Sequence, residues 1–64
     1  MKDYMTTAFW VQACIESCIN VEQLENSLNL IRLFHKRYQH PYLYNHLITT
    51  YSEHKNYLSH EKNN

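Results

Sequence analysis

The sequence predicts an all-α protein, a small three-helix bundle with helices over about 6–19, 21–38 and 42–58. Three observations carry that reading. Among 64 residues there is no glycine and one proline, which excludes glycine-rich phosphate loops and tight β-hairpins that need positive φ. Apolar residues recur at three- and four-residue steps along most of the chain, the spacing of amphipathic helices. The middle of the chain also carries a helix start signal at Asn20 and a stop signal at Pro41.

The central helix is the best defined. Asn20 can cap it by accepting from a free backbone N–H of the first turn, and Gln23 can reach back to the Asn20 N–H. Ile19 and Leu24 stand at the two positions of a hydrophobic staple. Glu22 and Glu25 complement the positive end of the helix dipole, and Arg32, Lys36 and Arg37 the negative end. Pro41 cannot continue the helix but suits the first turn of the next one. Val21, Leu24, Leu28, Ile31, His35 and Tyr38 form the expected core stripe, with Phe34 beside them. Leu30 lies on its margin and Leu33 outside it.

The first helix follows a frayed entry over residues 1–5, with Thr6 or Thr7 as a cap. Tyr4, Ala8, Val11, Cys14, Ile15 and Cys18 gather on one side, with Trp10 at the edge. Met5 and Phe9 fall on the other side, so this helix is apolar nearly all round and expects cover on more than one face. Its link to the central helix is very short, Asn20 alone or with Ile19, and Asn20 can take the left-handed conformation that closes a helix. The two helices form either an antiparallel hairpin or a sharper corner. In the hairpin, Thr7 lies near His35. The third helix buries Leu43, Tyr44, Leu47, Ile48, Tyr51 and Leu58, and a polar tail follows over 59–64.

A single domain, 1–64, is all this length supports, and its core is marginal without a disulfide, metal or oligomer. No apolar run is long enough to span a bilayer, and the N-terminal residues lack the order of a signal peptide. The expected location is cytoplasmic, with Cys14 and Cys18 reduced. Formal net charge is zero, but Lys2 faces Asp3, Glu16, Glu22 and Glu25 in the first half. Arg32, Lys36, Arg37, Lys55 and Lys62 outweigh Glu53 and Glu61 in the second.

Candidate chemistry is sparse. Cys14 and Cys18 share one helical face, but zinc needs two further ligands, and in the hairpin His35 lies too far along the axis to supply one. His46 and His54 stand two turns apart, too far to chelate together. No nucleophile context or metal motif is present. The expectation is no enzyme, no catalytic residue, no metal and no cofactor. Met5, Phe9, Leu30 and Leu33 are the candidate partner interface, expected to make a homodimer or to bind another protein. Arg32, Lys36, Arg37 and Tyr42, among interleaved tyrosines, are candidate nucleic-acid contacts.

The segment Ile15 to Leu24, followed by Leu30-Ile31, Phe34 and Arg37-Tyr38, resembles short uncharacterised reading frames of bacterial mobile elements and phages. The resemblance covers about the first two helices. It implies neither an activity nor a functional residue.

Overall fold

A computed structural model of the protein describes residues 4–62, with side chains through residue 60. Helix α1 spans Tyr4–Glu16, α2 Val21–Tyr38 and α3 Pro41–Lys62. Each helix touches the other two, so the architecture is the expected three-helix bundle. It is a rod of 45 × 16 × 15 Å.

The helices run up, down and up. Near the start of α1, the Tyr4 ring lies 6.4 Å from that of Tyr38 and the Thr7 hydroxyl 3.2 Å from the Tyr38 hydroxyl. Both contacts join the start of α1 to the end of α2, so the first two helices form a hairpin rather than a corner. Helix α3 then runs parallel to α1. His46 Nε2 is 3.0 Å from Gln12 Oε1, and His54 Nε2 is 2.8 Å from the Cys18 carbonyl oxygen.

The hairpin is possible because its link is longer than the sequence suggests. Helix α1 ends at Glu16, so residues 17–20 form the connection. Four residues fall within the usual span of helix–helix connections, about 2–8. The end of α1 is closed by local bonds. The Ser17 N–H donates to the Ala13 carbonyl at 3.0 Å and the Cys18 N–H to that of Ile15 at 3.2 Å. The Ser17 hydroxyl and the Cys18 thiol both donate to the Cys14 carbonyl. On the far side, Asn20 Oδ1 accepts from the Gln23 N–H at 2.8 Å. Gln23 Oε1 reaches back to the Ile19 N–H at 3.1 Å, one residue before the expected partner.

Asn20 has φ −147°, an extended conformation, so it caps α2 without taking a left-handed turn. Ile19 is 76% exposed. The staple with Leu24 is therefore not made, because Leu24 is drawn fully into the core.

Other boundaries shift outward. Tyr4 and Met5 are helical rather than frayed, and Thr6 and Thr7 lie inside α1 instead of capping it. Residues 59–62 continue α3 beyond the expected end at 58. The remainder of the expected frayed entry, 1–3, and of the tail, 63–64, lies outside the described residues. Pro41 opens α3, and His40 Nδ1 accepts from the Leu43 N–H at 3.3 Å, a histidine cap that satisfies one free donor of the first turn. Between α2 and α3, Gln39 takes φ 50° and ψ 51°, with its N–H bonded to the His35 carbonyl at 2.8 Å. It is the one described residue with positive φ. This chain uses no glycine where a helix commonly ends on one.

The core is Ala8, Val11 and Ile15 from α1, Leu24, Ile31 and Phe34 from α2, and Leu43, Leu47 and Leu58 from α3. Ser27 is buried among them and satisfies its hydroxyl on the Leu24 carbonyl one turn back. The fully buried residues of α2 are Leu24, Ser27, Ile31 and Phe34, with Val21, Leu28 and Tyr38 of the expected stripe half-buried against the core and His35 alone turned out of it. His35 is exposed and packs at a tilt of 35° against Tyr44, with ring centroids 4.3 Å apart. The physical reason is size and polarity together. A serine that bonds its own helix lets neighbours approach closely, whereas a buried imidazole would need a partner for each ring nitrogen.

Two stability predictions follow from the turns. Asn20→Ala removes the cap of α2 and should cost about 0.5–2 kcal/mol, read as a lower midpoint in urea. Gln39→Gly should do the opposite. A left-handed non-glycine residue costs about 1–2 kcal/mol, and the added freedom of glycine in the unfolded chain offsets part of that gain. A net stabilisation of about 0.5–1 kcal/mol is expected, and a loss of stability would show that Gln39 is held there by its side chain.

Candidate functional site

Helix α1 is the unusual element. A helix on the surface of a small bundle ordinarily turns an apolar stripe inward and a polar face to water. Here Ala8, Val11 and Ile15 are buried, yet Phe9 and Trp10 are 62% and 56% exposed. Met5 and Tyr4 are also exposed. The outward face of α1 therefore carries large side chains that the rest of the described chain covers only in part, Phe9 and Trp10 least of all.

Two flanks extend this face. Toward α3, Met5 and Phe9 line a shallow groove of about 190 Å³ with Ala8, Tyr42, Leu43 and His46. Tyr42 stands at its edge, 75% exposed. Toward α2, Trp10 lies one turn beyond Thr7, which touches Tyr38. Trp10 therefore leans to the opposite side of α1 from the groove, since successive residues turn by about 100°.

The four expected interface residues are thus not one patch. Met5 and Phe9 stand together in the groove between α1 and α3. Leu30 is half-buried and packs against the core. Leu33 is 62% exposed on α2, about 200° round from the buried Ile31. Trp10 and Tyr42, rather than Leu30, complete the exposed apolar set. The sequence held a signal for both. Trp10 follows Phe9 on a helix already apolar on two sides, and Tyr42 sits in the first turn of α3, ahead of its core stripe.

The candidate nucleic-acid contacts fall in the half of the rod nearer the α2–α3 turn. Arg32, Lys36, Arg37 and Tyr42 are all exposed. Beneath them runs a chain of rings. Phe34 meets Tyr38 at 5.0 Å, Tyr4 meets His40 at 4.9 Å, and His40 meets Tyr42 at 6.5 Å. The Arg37 guanidinium lies 5.6 Å from the Tyr38 ring centroid, a cation–π contact. Several of these tyrosines are therefore engaged with protein, and Tyr42 is the most exposed of them.

At the other end, His54 is the residue the sequence reading missed. Its Nε2–H donates to the Cys18 carbonyl and so ties α3 to the α1–α2 link. The ring also stacks on Tyr57, with centroids 5.7 Å apart. The spacing Leu47, Tyr51, His54, Leu58 placed it on the core stripe of α3 all along. A cleft of about 510 Å³ opens beside it, bounded by Ile19, Val21, Tyr57 and Leu58.

Cys14 and Cys18 are free thiols, each half-buried. Among the described residues, no group of three His, Cys, Asp or Glu side chains is placed to hold a metal ion, and no helix is long and apolar enough to cross a membrane. Burial raises the Cys18 thiol above its ordinary value of 9.0, and neighbouring Cys14 adds to the effect. Set against protein-family models, curated proteins and solved structures, the chain matches none of them.

The Cys18 shift gives a direct expectation. The thiolate is the reactive form, so Cys18 should be alkylated more slowly than an unfolded-chain cysteine at pH 8, and the difference should vanish in denaturant. A folded-state value above the unfolded one contributes stability below pH 9.0 that is lost as pH rises beyond it. Equal alkylation rates in native and denaturing buffer would contradict the burial of this thiol.

Proposed function

We propose that the protein is a non-enzymatic protein–protein interaction module that binds through the outward face of α1, with a second copy of the chain as its first partner. The observation that supports this is the pair Phe9 and Trp10, both more than half exposed on a helix whose other face is core. Fully burying one such side chain is worth about 1.5–3 kcal/mol, and a two-fold dimer buries each one twice. Aromatic anchors of this kind carry much of the energy of protein interfaces. The sequence resemblance is consistent with an accessory or regulatory role in a mobile element or phage.

A second reading is favoured by one observation, the joint exposure of Arg32, Lys36, Arg37 and Tyr42. Those side chains could meet a nucleic-acid backbone and stack on a base. The two readings separate on salt. Phosphate contacts weaken steeply as salt rises, whereas an apolar interface does not.

Sedimentation equilibrium across the micromolar range tests the first reading. The chain should populate a dimer, and Phe9→Ser should weaken it by about tenfold or more, about 1.4 kcal/mol. A wild-type monomer throughout, or a dimer indifferent to both Phe9→Ser and Trp10→Ser, would contradict it.

A further inference from the structure

Two thiols stand one helical turn apart where α1 runs into the link. Cys14 lies in the last turn of the helix, and Cys18 follows it at four residues. The turn between them stays closed, by the Ser17 N–H on the Ala13 carbonyl and the Cys18 N–H on that of Ile15. The Cys18 thiol folds back along this turn and lies 3.2 Å from the Cys14 carbonyl oxygen. Side chains four residues apart on a helix have Cβ atoms about 5–6 Å from each other. The two sulfurs feel each other's charge, since Cys14 adds to the upward push on the Cys18 thiol. Both residues are half-buried with free thiols, and Cys18 borders the open cleft of about 510 Å³.

This spacing selects among the things a thiol pair can hold. A disulfide needs Cβ atoms about 3.5–4.5 Å apart, closer than one helical turn keeps them. A single ion between the sulfurs suits the wider gap, because metal–thiolate bonds run to about 2.3 Å each and two of them span up to about 4.6 Å. Zinc and iron–sulfur clusters call for four ligands. Among the described residues, no further His, Cys, Asp or Glu side chain completes a set of three with the pair. His54 commits its Nε2 to the Cys18 carbonyl rather than to a sulfur. What fits is a soft ion satisfied by two thiolates, the class of monovalent copper, which sulfur ligands favour.

We infer that Cys14 and Cys18 bind one monovalent copper ion as a two-coordinate dithiolate, which ties the last turn of α1 to the α1–α2 link. Each thiol gives up its proton, so one Cu(I) enters, two protons leave and the ion keeps its oxidation state. The bound centre retains a single negative charge, which the half-exposed position leaves in reach of water. The Cys18 thiol gives up its bond to the Cys14 carbonyl, and that carbonyl still accepts from the Ser17 hydroxyl. Zinc was set aside in the sequence for want of two further ligands, and a two-coordinate ion needs none. The site shares no residue with the α1 face proposed for dimerisation.

Anaerobic titration of the full chain with Cu(I), against a coloured Cu(I) chelator as competitor, tests it. The wild-type chain should take up one ion per chain, and zinc(II) should not displace it. Cys14→Ser and Cys18→Ser should each weaken binding about a hundredfold or more, at or beyond the upper end of what even an outer-shell partner contributes. Because two protons leave, the apparent affinity of the wild-type chain should climb about a hundredfold from about pH 6 to pH 7, and that of either single variant only about tenfold. Circular dichroism without metal checks that each variant folds, and Cys14→Ala and Cys18→Ala repeat the comparison with an apolar replacement. The stoichiometry and the pH slope of the wild-type chain decide the matter even where a variant folds poorly. No uptake, one ion shared between two chains, zinc(II) held as tightly as Cu(I), or a single-serine variant that binds like the wild-type chain would overturn the inference.

Discussion

Ile15, Leu24, Ile31 and Leu47 are fully removed from water, and bringing those four together is what the three helices accomplish. They come from all three elements, so no pair of helices can bury the set. Every other feature serves this packing. The link over residues 17–20 turns α1 against α2 at the right height, and the Asn20–Gln23 cap fixes where α2 begins. The His54 bond to the Cys18 carbonyl holds α3 against that link. The core, nine apolar side chains among the described residues, is small, consistent with the limited interior a chain of this length can build. That limit explains α1. One side of it is spent on the core, and the described residues form no fourth element to cover the other.

Much of this was legible in the sequence, for identifiable reasons. Helix α2 was read to the residue because both of its ends are written in local chemistry, Asn20 with Gln23 at the start and Pro41 just beyond the finish. The ends of α1 and α3 carry no such signals, and there the reading ran long or short. The α2 stripe was misjudged at His35, which helical spacing alone carried onto it, and at Ser27, to which an apolar pattern gives no weight. A buried serine that satisfies itself on its own backbone leaves no mark in an apolar pattern. His54 was missed for a related reason. Its partner is a backbone carbonyl thirty-six residues away, and nothing local announces that pairing.

The candidate surface shows the same division. The excess of apolar residues on α1 was readable from composition around the helical wheel. Which of them share a face was not, because that depends on where α2 and α3 lie against α1. The fold groups Met5 and Phe9 with Tyr42, draws Leu30 partly inward, and leaves Leu33 on another helix facing outward.

The central claim is that α1 presents an uncovered apolar face, and the chain carries its own probe of that claim. Trp10 is the single tryptophan and lies on that face. Acrylamide quenching of its fluorescence, measured from dilute to concentrated protein, tests the claim most directly. The account predicts a red-shifted, readily quenched tryptophan in the dilute folded chain, with a blue shift and lower quenching as copies associate. A tryptophan already shielded in the dilute folded monomer would contradict it, because the face would then be covered by the chain itself.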